Sequence, residues 1–274
     1  MSDVPGGPEG RLLSGPPAYR PATPWRAVPA VLTTVAILVA AISAMALIFL
    51  GSGPADAANV SGRLWGLAVM QAVAVALTLL VSWLHAGRLR EVLALGEAPT
   101  GWRAYAGAIL AMAVFQAVLA AAQHFLLRHD LLTDLRPFVG LVTGAHWPLA
   151  AAVMAVGAPL SEELLFRGFL LGALAKSLEK GLSVPTALLL RSFPGALARR
   201  RLGFWPAAFI STAAWSALHY GYSLLGLAEV FAIGLFLSWL LWRTGSLWVT
   251  IFCHAAYNGA IVLALLLLGL PTGG

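Results

Sequence analysis

Six side chains stand out for their chemistry and spacing. SEELLFRG, Ser161 to Gly168, sets two adjacent carboxylates, Glu162 and Glu163, and one guanidinium, Arg167, inside an apolar run long enough to span a membrane. A charged group at the centre of such a helix costs about 2.5–3.5 kcal/mol on insertion scales, so three within six residues need partners or a use. On an α-helix Glu163 and Arg167 are i and i+4 and share a face, which predicts an ion pair. Glu162 is rotated by about 100° from that face and is left free. Pro159, just before them, lacks an N–H, frees a carbonyl near Ala155 and opens room by kinking the helix.

The remaining partners come from two other apolar runs. His219 lies in AWSALHYG, and His254 and Asn258 lie one helical turn apart in CHAAYNG. A carboxylate and an imidazole together take a proton from water. An imidazole and a carboxamide donate to an oxyanion. The same residue types also fit a second reading: Glu162, His219 and His254 as the protein ligands of a catalytic Zn2+, with water in the fourth position. Sequence leaves both open. HExxH, GxSxG and a GxGD-type aspartate motif are absent, so zincin, serine-hydrolase and aspartyl chemistries have no support.

Other polar residues read as packing. Glu229, Gln116, Gln123 and His124 are expected to make helix–helix contacts. His85, His129 and His146 sit at the ends of apolar runs and are assigned no role. The one cysteine, Cys253, excludes an internal disulfide framework and a cysteine-based zinc cluster.

The elements that must hold these groups follow from composition. Of 274 residues 60% are hydrophobic and 10% charged, against about 25% charged in soluble domains. The chain is expected to be an all-α, polytopic membrane bundle of about seven helices: Val28–Leu50, Leu64–Leu84, Tyr105–Leu127, Trp147–Leu174, Trp205–Tyr222, Leu224–Trp242 and Leu247–Leu270. Residues 1–27 are expected to be a disordered cytoplasmic tail. With the N-terminus cytoplasmic, thirteen of the seventeen Lys and Arg fall inside and three outside, with Arg167 in a span, which sets that orientation. The positive charge is thus assigned to cytoplasmic loops, and nucleic acid is not expected as a partner. The segment 179–204, apolar and then strongly basic, is read either as an amphipathic piece on the inner leaflet or as a plain topology signal. Helix lengths leave one mismatch. Glu162 lies about 22 Å below Trp147, roughly 8 Å above the cytoplasmic edge, whereas His219 lies about 20 Å from that edge. The two meet only if the fifth helix starts below the membrane surface or the fourth enters later.

Three motifs in order, EELLFRG, Trp215-x-x-x-His219 and His254-x-x-x-Asn258, resemble the CPBP family of intramembrane CAAX proteases and bacteriocin-processing (Abi) enzymes. The stretch RTGSLWVTIFCHAAYN, Arg243 to Asn258, is similar to that family too. The resemblance runs from about Leu149 to Leu263, within a catalytic core of about 147–270 in a membrane domain of 28–274. It implies that Glu162 and His219 activate a water, that His254 and Asn258 stabilise the oxyanion, and that Glu163 and Arg167 orient the site. Two departures are visible: Trp215 stands where the family has Phe, and the connection from Arg167 to Trp215 is long.

The expected activity is therefore hydrolysis of a peptide bond in a membrane-associated protein or peptide, in a polar cavity reached from the cytoplasmic side. The expected location is the lipid bilayer of the bacterial cytoplasmic (inner) membrane. The alternatives are a non-catalytic peptide-binding or immunity protein on the same scaffold, and an ion-coupled transporter. The absence of an internal repeat weighs against the transporter.

Overall fold

The computed structural model describes residues 17–51, 60–86, 88–98, 100–128, 132–142, 144–181 and 195–268. Among these the chain is helical, with no strand. The helices are α1 (Ala27–Gly51), α2 (Val60–Ala86), a short α3 (Leu89–Val92), α4 (Trp102–Leu126), α5 (Arg136–Val142), α6 (Trp147–Gly181), α7 (Gly195–Ala217), α8 (Leu224–Thr244) and α9 (Leu247–Leu268).

The bundle is built around α6. Every residue from Glu163 to Ala175 is buried, as expected of a helix that is covered on all sides. Phe166, Phe169 and Leu171 supply its apolar packing, and α1, α2, α7 and α9 surround it. By contrast α1 and α4 present Val28, Leu32, Val35, Leu110, Val114 and Val118 outward, where acyl chains replace protein neighbours.

Six of these helices are long and apolar enough to cross a membrane: α1, α2, α4, α6, α8 and α9. The chain is thus a multi-pass membrane protein. The expected fifth span is not among the six, because α7 ends at Ala217 and its part after the basic run Arg199 to Arg201 is too short to cross. Helices α6 and α7 meet despite the mismatch in length: Trp215 of α7 donates to Glu162 of α6 at 2.7 Å. The helix α6 also runs on to Gly181, which places Glu162 near its middle. Segment 179–204 is accordingly shorter as a loop, and its residues 182–194, with the amphipathic reading attached to them, lie outside the described residues.

The expected disordered tail of residues 1–27 is corrected over its last third, while residues 1–16 lie outside the described residues. Residues 17–26 form an extended strap across the basic end of the bundle. Ala18 N–H and Tyr19 N–H donate to the carbonyls of Arg243 and Trp242, at 3.4 and 3.3 Å. Arg200 and Lys176 donate to the carbonyls of Tyr19 and Thr23. Trp25 stacks on His85 and meets Phe169 edge-on. Proline-rich composition excluded a helix here, but not burial of Tyr19 and Thr23, or packing of half-buried Trp25, against distant partners. The strap lies over Gly245, the left-handed C-cap of α8 (φ 65°), where a Cβ would come within 3.2 Å of Ala18.

The TGSLW stretch after Arg243 has a clear task. Ser246 Oγ donates to Gly96 O (2.6 Å), Leu247 N to Ala94 O (2.8 Å) and Trp248 Nε1 to Leu95 O (3.1 Å). Three successive donors thus satisfy the carbonyls of a loop that has no regular structure of its own. This fixes the start of α9, and with it the height of His254.

Candidate active site

Helix α6 carries two stretches in π register, a widening that frequently marks functional sites. In the first, Val153–Gly157, Ala158 N–H donates to Val153 O, five residues back. The next carbonyl, Met154 O, then has no backbone donor: its α partner Ala158 is engaged, and its π partner Pro159 has no N–H. Asn258 of α9 fills the vacancy, its Nδ2 donating at 2.9 Å. Gln71 of α2 donates to Val153 O at 3.1 Å. The expectation of a freed carbonyl near Ala155 is corrected to Met154, because the helix is π rather than α there. One amide N–H of Asn258 remains after this bond.

The second stretch, Glu163–Leu170, ends with Leu171 N–H bonded to Phe166 O, again five residues back. With each turn widened, residues five apart come round to one side as well as residues four apart. Glu162 therefore turns towards the side that Arg167 occupies, rather than away from it.

The result is a site in two layers. In the buried layer Glu163 Oε1 meets Arg167 Nη1 at 3.1 Å and His254 Nδ1 at 3.0 Å. Glu163 and Arg167 are both 0% exposed and His254 is 4% exposed. Since a carboxylate only accepts, Nδ1 of His254 carries the proton in that bond. The expected Glu163–Arg167 ion pair is present.

The second layer is half-buried and contains Glu162 and His219. Trp215 lies between the layers and touches both. Its indole N–H donates to Glu162 Oε2 at 2.7 Å. Its ring lies under the guanidinium of Arg167, 4.2 Å from Cζ, and meets the rings of His219 and His254 edge-on at 5.0 and 5.8 Å. A buried indole N–H requires a partner, so Trp215 makes a polar contact that the Phe usual at this place in the resembling family cannot make. With Oε2 held by the indole, Oε1 is the oxygen of Glu162 left for chemistry.

His219 lies just past the end of α7, in a turn and not within the helix. Its Nδ1 is 3.2 Å from Trp215 O. A carbonyl can only accept, so Nδ1 carries the hydrogen and Nε2 presents a lone pair. No hydrogen bond among the described residues joins His219 to Glu162 directly; Trp215 connects them.

Sequence reasoning missed Trp215 as a polar partner and missed Gly234 altogether. A Cβ at 234 would lie 2.5 Å from Thr212 Cγ2, and 2.9 Å from both Arg167 Nη2 and Trp215 Cε3. Only a bare Cα in α8 leaves room for the guanidinium–indole stack. The signal available was a glycine inside an apolar helix, where it carries a propensity cost. The packing readings of Glu229 and Gln123 match the structure: Gln123 Nε2 donates to Glu229 Oε2 at 2.9 Å.

Among the described residues no three His, Cys, Asp or Glu side chains converge as a set that could hold a metal ion. Nδ1 of His254 is taken by Glu163, and one oxygen of Glu162 is taken by Trp215. These bonds leave Nε2 of each histidine and Oε1 of Glu162 uncommitted, and in this arrangement the three side chains are not drawn together around one point.

No curated protein and no solved structure matches the chain significantly. Residues 144–260 match a family model described as type II CAAX prenyl endopeptidase Rce1-like, a span that holds Glu162, Glu163, Arg167, Trp215, His219, His254 and Asn258. Over this span, which holds the ordered motifs and their buried side chains, the chain is similar to the Rce1-like CAAX prenyl endopeptidases.

Proposed function

We propose that the protein is an intramembrane endopeptidase that hydrolyses a peptide bond of a membrane-associated substrate with water activated by Glu162 and His219. One observation carries this reading: of the two adjacent carboxylates, Glu163 is spent on Arg167 and His254, while Glu162 keeps one oxygen free in the half-buried layer. That free oxygen takes a proton from water as the water oxygen attacks the scissile carbonyl carbon. Nε2 of His219, a lone-pair acceptor in the same half-buried layer, shares the proton. The carbonyl electron pair moves to oxygen, where the remaining N–H of Asn258 donates to it. His254, whose Nδ1–H is given to Glu163, joins as a donor through Nε2–H in its imidazolium form. Collapse of the tetrahedral intermediate breaks the C–N bond, and the proton passes to the leaving amine.

The family description supports a prenylated C-terminal peptide as the first substrate to try. The test is cleavage of a farnesylated CAAX peptide and its unprenylated counterpart by purified protein in lipid nanodiscs. Wild type is expected to cleave, and Glu162→Gln and His219→Ala to lose about 10²–10⁴-fold in rate. Near-wild-type cleavage by either variant would sink the mechanism. Peptide binding without cleavage by the wild type would move the protein to the non-catalytic alternative.

A further inference from the structure

The turn that carries His219 is fastened by a segment outside the 144–260 match. After α7 ends at Ala217, Leu218 N donates to Trp215 O (3.1 Å), His219 N to Ser216 O (2.9 Å) and Tyr222 N to His219 O (2.9 Å). These local bonds close the turn without anchoring its far end. Asp134, in the turn before α5, supplies the anchor. Its Oδ1 accepts from Ser223 N–H at 2.6 Å and its Oδ2 from Ser223 Oγ at 2.7 Å. The Ser223 hydroxyl in turn accepts from Gly226 N–H at 3.0 Å, capping α8. Donating to Asp134 and accepting from Gly226, that hydroxyl has both its roles in use. Gly226 has no Cβ, which would run into the Asp134 carboxylate.

A second contact comes from the same segment. Phe138 of α5 meets Tyr222 edge-on at 6.1 Å, and Tyr222 meets His219 edge-on at 5.5 Å. The two contacts reach the turn through different residues: one ends on the His219 ring through Tyr222, and the other fixes Ser223, next to Tyr222.

We propose that Asp134 is a positioning residue, and that residues 132–142 act as a clamp holding the His219 ring in register with Glu162. The catalytic consequence rests on the function proposed above; the placement of the ring does not. A charge-assisted bond to a backbone N–H is short and directional, so the clamp restricts where Ser223, Tyr222 and hence His219 can sit. Misplacement of a catalytic group by an ångström from a distant change is enough to cost about 100-fold in rate.

The test uses the full chain, labelled with 15N-histidine, in lipid nanodiscs. The protein has six histidines, and the His219 signals are assigned by their loss in His219→Gln. In Asp134→Ala and in Ser223→Ala the His219 ring signals should shift or broaden, while those of His254 stay in place. On the farnesylated peptide, kcat should fall about 10- to 100-fold with KM within about twofold. Ser223→Thr, which keeps the hydroxyl, should retain both the spectrum and the rate. Unchanged His219 signals in both alanine variants would overturn the proposal, as would equal disturbance of all the histidines. If Asp134→Ala does not fold, Ser223→Ala decides alone. Should the His219 signals move in a protein that cleaves no peptide, the clamp stands and the enzymatic reading falls.

Discussion

Glu162 and Glu163 are neighbours in the chain and live in different surroundings. Glu163 is sealed in the protein, with a guanidinium and an imidazole on one oxygen. Glu162 is half-buried, with a single neutral donor on one oxygen. The difference teaches that adjacent charges need not share a task. One carboxylate makes a buried arginine tolerable, and the other is left for a proton. Substitution by the neutral isostere should separate them. Glu163→Gln strands the Arg167 charge in the core, and breaking a buried pair in this way costs about 3–5 kcal/mol. It should lower the thermal midpoint in detergent sharply, and Glu163→Gln combined with Arg167→Met should recover much of it. Glu162→Gln should leave the midpoint near wild type while cleavage is lost. A stable but inactive Glu163→Gln protein would erase the distinction.

Trp215 joins the two surroundings, so its substitution sharpens the comparison. Trp215→Phe restores the residue usual in the resembling family and keeps an aromatic face under Arg167. It removes the N–H that holds Glu162 Oε2, together with the pyrrole part of a buried ring. A hydrogen bond to a charged group is worth about 1.5–3 kcal/mol, so kcat should fall about 10- to 100-fold. The thermal midpoint should fall by less than in Glu163→Gln, because the cation–π contact survives and only the cost of the smaller ring is left. An unchanged rate would mean that Glu162 is held by something other than the indole.

Much of this was legible in the sequence because it depends on residue type and order. The apolar runs gave the helices, and the i, i+4 spacing gave the Glu163–Arg167 pair. The three ordered motifs gave the residues that Trp215 gathers. What was not legible depends on register and on distant packing. A period of 3.6 predicts that Glu162 points away from Arg167, and only the π stretch turns it back. Pro159 announced a freed carbonyl, but whether Ala155 or Met154 lost its donor depended on the bond from Ala158 to Val153. Residues 17–26 have no periodic pattern at all, and their order comes from Trp242, Arg243 and Phe169, far along the chain. The fifth expected span, Trp205–Tyr222, fell short for a local reason: the helix that carries Trp205 ends at Ala217, which leaves too short an apolar run after Arg199 to Arg201.

Gly234 sets the spacing between the two surroundings from the α8 side. Gly234→Ala drives a methyl group to within 3 Å of Arg167 and Trp215. Overpacking of this kind costs about 1–3 kcal/mol. Both the thermal midpoint and kcat should fall together, because the indole and the guanidinium shift as one. A variant with wild-type values for both would show that the stack has slack that its close contacts do not suggest.

A third intramembrane carboxylate completes the contrast with the smallest effect. Glu229 of α8 accepts from Gln123 of α4 at 2.9 Å and lies 3.5 Å from the Tyr257 hydroxyl. Its partners are neutral donors, and it has no guanidinium to balance, unlike Glu163. Nor does it share the Trp215 contact that marks Glu162. Glu229→Gln keeps an acceptor oxygen for Gln123 and leaves no charge stranded, so the penalty that dominates Glu163→Gln is absent. Stability should change by less than about 1 kcal/mol, the scale of one neutral hydrogen bond, and the cleavage rate should stay within about twofold. A large loss of rate at unchanged stability would give Glu229 a part in the proton path and extend the chemistry of the site beyond Glu162 and His219.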